Sequence, residues 1–250
     1  MELPDPESLV AEQIAYYRAR APEYDHWWLR TGRYRPSGEF GRRWEAGKRD
    51  LEQAVLDLQP CGDVLELAAG TGNLTAALCR VAGHVTAVDA SEEALSIARG
   101  KVDDPAKVTF VHADLFGWRP PRRYDTVAFG FWLSHVPVGH MARFWQLVDD
   151  VLRPGGRVFF ADNAVPVEQA AAATDERPAG SAPATPWSRT WLDQGVSFRT
   201  LSDGRQFTIV KRGWTPAQLQ EELAGLGWDA TVHETQGLFI HGTAVRGASR

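Results

Sequence analysis

The chain has 250 residues, of which 44% are hydrophobic and 24% charged, and its formal net charge is −5. This acidic balance argues against a large nucleic-acid-binding surface, and no apolar run reaches the length of a membrane span. Its two cysteines, Cys61 and Cys79, provide neither a disulfide framework nor metal-ligand spacing. We therefore expect a cytoplasmic protein without a metal site and, from its polar first residues, without a signal peptide.

Two helices are predicted ahead of the first strand. The first should end at Pro22, because proline disfavours a helix interior. Its approximate apolar stripe consists of Leu9, Ile14, Tyr17 and Ala21. After a loop that contains Pro36, the apolar spacing predicts a second helix from Glu39 to Leu58.

From Asp63 onward short apolar strands alternate with helices, which is typical of a doubly wound α/β fold with a mostly parallel sheet. The predicted strands cover residues 63–67, 84–88, 108–112, 126–131 and 157–161, and the predicted helices cover 74–81, 141–152 and a stretch that begins at 92 after the capping residue Ser91. A last helix from Thr215 to Leu226, with Pro216 in its first turn, leads to a final strand at about 238–245.

Residues 163–186 are rich in Ala, Pro, Thr and Gly, which predicts a mobile insert outside the core. Residues 198–211 predict a β-hairpin centred on Ser202-Asp203-Gly204. The sequence shows no internal repeat.

The stretch from Val64 to Thr75 reads VLELAAGTGNLT and joins the first core strand to a helix. Gly70 and Gly72 allow the backbone to approach a ligand closely, and the helix amino terminus favours an anionic group. Nicotinamide- and flavin-binding domains open in the same way, but their third glycine is missing here, since Leu74 follows Asn73.

Three carboxylates accompany this turn in order along the chain. Glu66 lies on the first strand, Asp89 ends the second, and Asp114 follows the third. For either aspartate alone, capping of a helix is an equal explanation. Together with the glycine turn, however, the set resembles the class I S-adenosylmethionine (SAM)-dependent methyltransferases. One departure is Ala68, which occupies the position of the motif's first glycine and predicts altered rather than lost cofactor affinity.

The resemblance implies a Rossmann-like sheet of seven strands with an antiparallel last strand, SAM as cofactor and S-adenosylhomocysteine (SAH) as product. It also implies that Asp89 binds the ribose hydroxyls and that Asp114 meets the adenine amino group. The cofactor-binding residues predicted in the core are Glu66, Ala68, Gly70, Gly72, Asp89, Ala90, Asp114, Leu115 and Phe131.

The segment from Phe131 to Pro137 follows the fourth strand, where acceptors bind in this fold. It contains His135, which we predict to be catalytic, either orienting the acceptor or acting as its general base. A structural role, in which His135 bonds to the next loop, is the alternative. The Asn/Asp-Pro-Pro-aromatic motif of nucleic-acid amino methyltransferases does not occur here, so methylation of a base is disfavoured.

A closer resemblance links the chain to the phosphonate O-methyltransferase of dehydrophos biosynthesis and to related small actinobacterial methyltransferases. The matching segments are Tyr16–Ala21, Glu23–Asp25, Phe131–Pro137, Arg199–Arg205 with Phe207, and Ile209–Lys211. This resemblance implies that His135, Arg199 and Lys211 surround an anionic phosphonate. The further residues predicted from it are Tyr24 and Trp132 for the substrate and Tyr16, Tyr17 and Arg18 for the cofactor, on an amino-terminal helix that acts as a lid.

Hairpin geometry offers an independent check on the two cations. A two-residue loop would place Arg199 and Lys211 on opposite faces, whereas a three-residue Ser202-Asp203-Gly204 loop with a glycine bulge places both on one face with Leu201, Phe207 and Ile209. Such a face would bind an anion. Solvated charges on a sheet edge are the alternative.

These features divide the chain into a helical lid (1–60), a SAM-binding core (61–162), a substrate cap with the insert and the hairpin (163–213), and a helix with strands that complete the sheet (214–250). Two segments are longer than in the phosphonate O-methyltransferase that the chain resembles: the loop at 30–39 and the insert with Trp187 and Trp191. Both would border the acceptor, so a larger or different acceptor is compatible with the sequence.

The predicted function is SAM-dependent O-methylation of a small anionic natural-product intermediate that carries a phosphonate, carboxylate or phosphate. One alternative is N- or C-methylation of a neutral aromatic metabolite with His135 as base; another is a SAM-binding protein without catalysis. The basic segment from Arg30 to Arg49 is either a solvated face or a phosphate-binding patch, and the latter would suit RNA methylation. The oligomeric state stays open.

Overall fold

The computed structural model of the protein describes residues 6–36, 38–59, 61–164 and 195–247. Its α-helices in these ranges are α1 (Pro6–Trp28), α2 (Gly38–Leu56), α3 (Asn73–Leu78), α4 (Glu92–Arg99), α5 (Met141–Val151) and α6 (Pro216–Gly225). Its strands there are β1 (Asp63–Leu67), β2 (His84–Asp89), β3 (Val108–His112), β4 (Tyr124–Gly130), β5 (Leu152–Asn163), β6 (Val196–Thr200), β7 (Gln206–Val210), β8 (Trp228–Thr235) and β9 (Phe239–Arg246). Trp187, Trp191 and most of the insert predicted to be mobile lie outside the described residues.

Seven strands form one sheet in the order β3-β2-β1-β4-β5-β9-β8. Strands β1 to β5 pair in parallel, whereas β9 runs antiparallel to both β5 and β8. This confirms the predicted fold class, including the antiparallel last strand. The strand order reverses at β1 and β4, and ligands of doubly wound sheets bind beyond the carboxyl ends of strands at such a reversal.

Alternate residues of the strands pack against helices on opposite faces of the sheet. Leu65 on β1 and Phe129 on β4 contribute to a core with α5 and α6. Val64 and Ala128, one position before each of these, contribute to a second core with α2, α3 and α4. Because both faces are covered, the parallel strands are apolar almost throughout, as the sequence pattern indicated.

Helix α1 continues six residues past Pro22, so the prediction that it ends there is wrong. An interior proline removes one backbone hydrogen bond and disfavours a helix by about 3 kcal/mol. Tertiary packing compensates, because Trp27 and Trp28, on the last turn of α1, stack edge-on against Trp44 of α2 and against Phe131. The predicted apolar stripe did not include these tryptophans.

The β6–β7 hairpin has the three-residue loop that the sequence allowed. Arg199 pairs with Phe207 and Thr200 with Gln206, and the Leu201 amide donates to the Arg205 carbonyl at 2.9 Å. Gly204 has a φ of +86° at the bulge position. Residues on alternate positions of each strand share a face, so this register places Arg199 and Lys211 on the same side.

The sequence analysis did not assign strand β8, which forms one edge of the seven-stranded sheet. In β8 only Trp228, Val232 and Thr235 are buried, and the positions between them carry polar or small side chains. An edge strand with so few apolar positions lacks the alternation by which inner strands are recognised. The other predicted strands and helices are present with boundaries shifted by a few residues; the fifth strand is the most extended, over twelve residues.

The basic segment from Arg30 to Arg49 does not form one solvated face. Arg30 is 7% exposed, with its guanidinium 3.4 Å from the centre of the Trp44 ring. Burial lowers the Arg30 pKa to about 10. Arg33 pairs with Glu23, and Arg43 donates to the Gln236 carbonyl. The segment is therefore divided between cations held by partners and the exposed side chains of Arg35, Arg42 and Arg49.

Within the described ranges, no helix has both the length and the hydropathy of a membrane span. In the same residues, no group of three His, Cys, Asp or Glu side chains is arranged to hold a metal ion. Cys61 and Cys79 are free thiols, and Cys61 Sγ donates to the Leu58 carbonyl at 3.4 Å. The predicted division of the chain into four segments stays a prediction.

Candidate active site

The turn between β1 and α3 carries left-handed backbone at three positions. Gly70 has a φ of +55° and Gly72 of +83°. A Cβ at Gly72 would lie 2.7 Å from the Ala98 side chain, so α3 and α4 pack closely only with glycine there. A Cβ at Gly70 would meet no atom within 4 Å, because that position opens into a cleft. Gly72 thus serves packing, and Gly70 leaves room for a ligand.

Ala68 is the third left-handed position, with a φ of +55°. A non-glycine residue in this conformation costs about 1–2 kcal/mol. The conformation explains why the family motif has a glycine here. Phe131, after β4, is likewise left-handed with a φ of +56°. Both residues line the same cleft, and backbone strain of this kind collects where a site requires a fixed geometry.

Asp89 lies at the carboxyl end of β2 and faces the cleft. Its two carboxylate oxygens accept the amides of Gly70 and Ser91, each at 2.8 Å. Burial raises the pKa of Asp89, and these hydrogen bonds act in the opposite direction. A carboxylate has about four acceptor positions, so two amide bonds leave room for the hydroxyls of a ribose. The cap of α4 is Ser91 itself, which accepts the Ala94 amide.

A cavity of about 100 Å³ lies between α1 and the carboxyl ends of β1, β2 and β4; we call it the cofactor cavity. Asp114 and Leu115 line it, and Asp114 also accepts the Phe116 amide at 3.1 Å. Trp132 lines this same cavity beside Phe116. It does not line the cavity that holds Arg199 and Lys211, so its position is nearer to the predicted adenine residues than to the predicted acceptor site.

A second cavity of about 380 Å³ continues from the cofactor cavity between α2, α3 and β1, and both share Ala68, Gly70 and Phe131. Glu66 lines it and is 1% exposed. Burial raises the pKa of Glu66 to about 8. Its Oε2 atom has no hydrogen-bond partner among the described residues. A buried acceptor oxygen without a partner suits a ligand that brings a donor, such as an amino group.

Helix α1 covers the cofactor cavity with Tyr17 and Tyr24. Arg18 donates to the Ala90 carbonyl at 2.9 Å and so reaches the loop after β2. Tyr16 is not brought to the cavity. It is fully buried beneath the hairpin, where it packs against Phe207 and Leu201. Its predicted contact with the cofactor has no support in this arrangement.

The carboxyl-terminal part of α1 is fixed to the glycine turn by a polar network that we call the latch: Asp25, Thr71, Asn73 and Lys101. The Lys101 ammonium donates to Asp25 at 2.7 Å and to the Asn73 amide oxygen at 2.8 Å. Thr71 Oγ1 donates to Asp25 at 2.8 Å. The latch was not predicted from the sequence, because 76 residues separate Asp25 from Lys101 and no local pattern connects them.

A third cavity of about 60 Å³, the cationic cavity, lies between α1 and the hairpin. Arg199 and Lys211 line it together, as the three-residue loop predicts. The Lys211 ammonium donates to Ser134 Oγ at 2.9 Å and lies 3.9 Å from the carboxylate of Asp162, which is fully buried. Arg20, which the site predictions did not include, lines this cavity too.

His135 lies in the wall between the cofactor cavity and the cationic cavity. Its Nδ1 atom is 2.6 Å from the Val210 carbonyl, so Nδ1 carries the hydrogen and Nε2 accepts the Tyr17 hydroxyl at 2.7 Å. Burial, followed by the nearby Lys211 ammonium, holds the pKa of His135 well below its usual range. The imidazole is therefore neutral. Its bond to Val210 on β7 is the structural contact that was the alternative to catalysis.

The residues around the connected cavities fit SAM. Asp89 would hold the ribose, Asp114 and Leu115 the adenine, and Glu66 the amino-acid portion. Two observations support the fit: the open space at Gly70, and the Glu66 oxygen left without a partner among the described residues. Tyr17, Tyr24, Phe131 and His135 form the wall shared with the cationic cavity.

Comparison with known proteins shows the family. A model described as "Methyltransferase domain" matches residues 64–156. The solved DhpI–SAH complex is 34% identical to the chain, with a TM-score of 0.74, and the match covers 98% of this chain and 100% of that one. The chain belongs to the class I SAM-dependent methyltransferases. The DhpI–SAM–HEP complex agrees, with 35% identity, a TM-score of 0.71 and the same coverage.

The methyltransferase is also similar to a demethylmenaquinone methyltransferase of Clavibacter sepedonicus, with 36% identity over 104 residues. That match covers 41% of this chain and 42% of the relative. The chain spans about half the length of the relatives it matches in this way. These matches cover only part of the chain, whereas the matches to the two DhpI structures cover 98% of it.

Proposed function

We propose that this methyltransferase transfers a methyl group from SAM to an ionised oxygen of a small anionic acceptor, and that the acceptor is of the phosphonate class. The observation that carries the proposal is the cationic cavity, where Arg199 and Lys211 share one face of the hairpin. Cations in a confined site hold an oxyanion by charge-assisted hydrogen bonds. Carboxylate and phosphate are the related acceptor classes.

The cofactor, when bound, supplies an electrophilic methyl group on a sulfonium. The protein's part is to align the acceptor oxygen with that methyl group and to keep water out, and good orientation lowers such a barrier by roughly 7–11 kcal/mol. Tyr17, Tyr24, Phe131 and His135 line both cavities, so methyl transfer would take place between these side chains, where the acceptor oxygen and the methyl group can meet. Burial raises the pKa values of both tyrosines, which keeps this wall uncharged.

An ionised oxygen needs no general base, and the state of His135 agrees with this. Both of its ring nitrogens are bonded, one to Val210 and one to Tyr17. The neutral imidazole holds Tyr17 at the wall, which supports an orienting role. The resemblance of Arg199–Arg205 and Ile209–Lys211 to the phosphonate O-methyltransferase of dehydrophos biosynthesis supports phosphonate among the possible anions.

Methylation of a neutral aromatic metabolite stays the second candidate, because aromatic side chains surround the cationic cavity. Trp27 and Tyr24 line it and stack at 5.6 Å. In that reaction His135 would have to accept a proton, after the Tyr17 hydroxyl had left its Nε2 atom. The pH–rate profile separates the two candidates, since a base gives a titration in the rate that an ionised acceptor does not require.

The test is calorimetric titration with SAH, followed by a panel of phosphonates, carboxylates and phenols added to the SAH complex. We expect micromolar SAH binding and one acidic ligand that binds only afterwards. Arg199→Ala and Lys211→Ala should each weaken that ligand about 10- to 100-fold and leave SAH affinity intact. Arg205→Gln is the matched control, because Arg205 lies on the same hairpin and pairs with exposed Asp203.

Three results would contradict the proposal in different ways. Loss of SAH binding in the Arg199 and Lys211 variants would show that these cations serve the cofactor. Binding of a phenol without any acidic ligand would favour the neutral aromatic acceptor. Absence of SAH binding to the unaltered chain would contradict the cofactor assignment itself.

A further inference from the structure

Arg20 is a cation of α1 buried at the cationic cavity. It is 6% exposed and lines the cavity together with Arg199 and Lys211. Its guanidinium lies 5.5 Å from the centres of the Tyr16 and Tyr24 rings, and Nη1 donates to the Tyr16 hydroxyl at 2.6 Å. The two ring faces and this hydrogen bond fix the direction of the side chain toward the hairpin.

We propose that Arg20 is a third acceptor-binding cation and that, through it, the acceptor anion and the cofactor strengthen each other's binding. The inference rests on the proposed function, because it assigns an additional residue to the same anion site.

The three cations belong to two different elements. Arg199 and Lys211 belong to the hairpin segment, whereas Arg20 belongs to α1. All three are close enough to His135 to lower its pKa, in addition to the larger effect of burial. An anion in a cavity of about 60 Å³ therefore contacts charges from two elements at once. The bound anion therefore links α1 to the hairpin through charge-assisted hydrogen bonds to both elements.

Helix α1 also covers the cofactor cavity. Residues one to two turns on either side of Arg20, among them Ile14, Tyr17 and Tyr24, line that cavity. A ligand that holds α1 down from the cationic side therefore stabilises the cover of the cofactor on the other side. Coupling between two binding sites is reciprocal, so the cofactor must raise the affinity for the anion by the same factor.

The charge and the shape of the acceptor group decide how well it can contact three cations. A carboxylate presents one negative charge, whereas a phosphonate or phosphate presents up to two, with three oxygens directed to different sides. Three cations from two directions match the second kind of group better. Arg20 would thus select phosphonate or phosphate over carboxylate, which supports the phosphonate class proposed above.

The experiment measures the dissociation constant of SAH by calorimetry, with and without saturating inorganic phosphate, at pH 8 and at ionic strength matched with chloride. In the unaltered protein, phosphate should tighten SAH binding about 5- to 50-fold, within the usual range of coupling between sites. Acetate at the same concentration should change the SAH dissociation constant less than about twofold, because a carboxylate presents only one negative charge to the three cations.

Arg20→Gln and Arg20→Met should reduce the phosphate effect to less than about twofold, while SAH affinity without phosphate changes little. The methionine variant keeps the buried aliphatic packing if glutamine destabilises α1. Arg20→Lys restores the charge and should recover part of the effect, which a purely structural arginine would not do. Arg205→Gln removes one exposed positive charge from the hairpin and should behave as the unaltered protein.

The outcomes separate this inference from the proposed function. If the Arg20 variants keep the full phosphate effect while Arg199→Ala and Lys211→Ala abolish it, the anion site stands and the role of Arg20 is wrong. If phosphate has no effect on SAH affinity in the unaltered protein, the coupling is wrong. If phosphate also fails to bind the SAH complex, the anion site of the proposed function is wrong as well.

Discussion

At the scale of single residues, burial favours the uncharged forms of two ionisable side chains in the site. Glu66 has a pKa of about 8, His135 has a pKa well below its usual range, and both shifts arise first from burial. The sequence identified both positions, because a strand before a glycine turn and the segment after β4 have fixed places in this fold. It gave no information on their protonation, since burial depends on distant elements such as α1 and α2.

Glu66 makes the stability of the cofactor-free protein depend on pH in a defined direction. The folded state keeps the proton up to about pH 8, whereas the unfolded chain loses it near 4.5, so the folded state binds more protons between these values. Stability from this group is therefore present at low pH and decreases as the pH rises from about 4.5 to 8.

Glu66→Gln removes this dependence. We expect the variant's stability relative to the unaltered protein to rise by roughly 1–4 kcal/mol between pH 5 and pH 8, because one pKa unit corresponds to about 1.4 kcal/mol. Urea unfolding without cofactor measures this difference in stability, with Glu221→Gln, at an exposed position of α6, as control. A constant difference across this range would mean that Glu66 is ionised in the folded protein.

At the scale of elements, α1 is held by contacts at both of its flanks. The latch joins Asp25 to Lys101 and the glycine turn, and Glu12 and Gln13 accept the amides of Thr208 and Val210 on β7. The sequence predicted a helix in this place but ended it at Pro22. Propensity favours that end, and the packing of residues 23–28 against α2 overrides it.

Lys101→Met tests the latch. Removal of the ammonium leaves Asp25 with Thr71 and Asn73 only, so α1 should open more readily. We expect SAH to dissociate about 5- to 20-fold faster, because the variant loses the charged hydrogen bonds that Lys101 donates to Asp25 and Asn73. Stopped-flow tryptophan fluorescence measures it, with Lys107→Met as control, since Lys107 donates to the Cys79 carbonyl away from α1. An unchanged dissociation rate would show that the latch does not limit release.

At the scale of the whole molecule, α1 and the hairpin pack together over the carboxyl edge of the sheet; we call these two elements together the cap. Tyr16 packs against Phe207, and the backbone amides of Thr208 and Val210 on β7 donate to the side chains of Glu12 and Gln13. Strand and helix alternation predicted the sheet and the glycine turn, because those patterns are local. The latch, Arg20 and the buried Asp162 were not predicted, because each acquires its role from a partner far away in the chain.

If the cap moves as one body, SAH should protect the hairpin from hydrogen exchange although the hairpin does not line the cofactor cavity. We expect slower exchange at the amides of Thr208 and Val210 together with α1, and no change in β8 and β9. Mass-spectrometric exchange with and without SAH measures this. Protection confined to α1 would show that the lid closes independently of the hairpin.

The hydrogen bond between Gln13 and Val210 spans 197 residues, and this has a consequence for how the protein is made. A ribosome adds about 5–20 residues per second, so α1 emerges roughly 10–40 seconds before the strand that seats it. During that interval the sheet from β1 to β5 is synthesised, whereas Leu9 and Tyr16 have no hairpin to pack against. Helix α1 is therefore synthesised well before the strand that seats it, and the cationic cavity is completed only after β7 has been made.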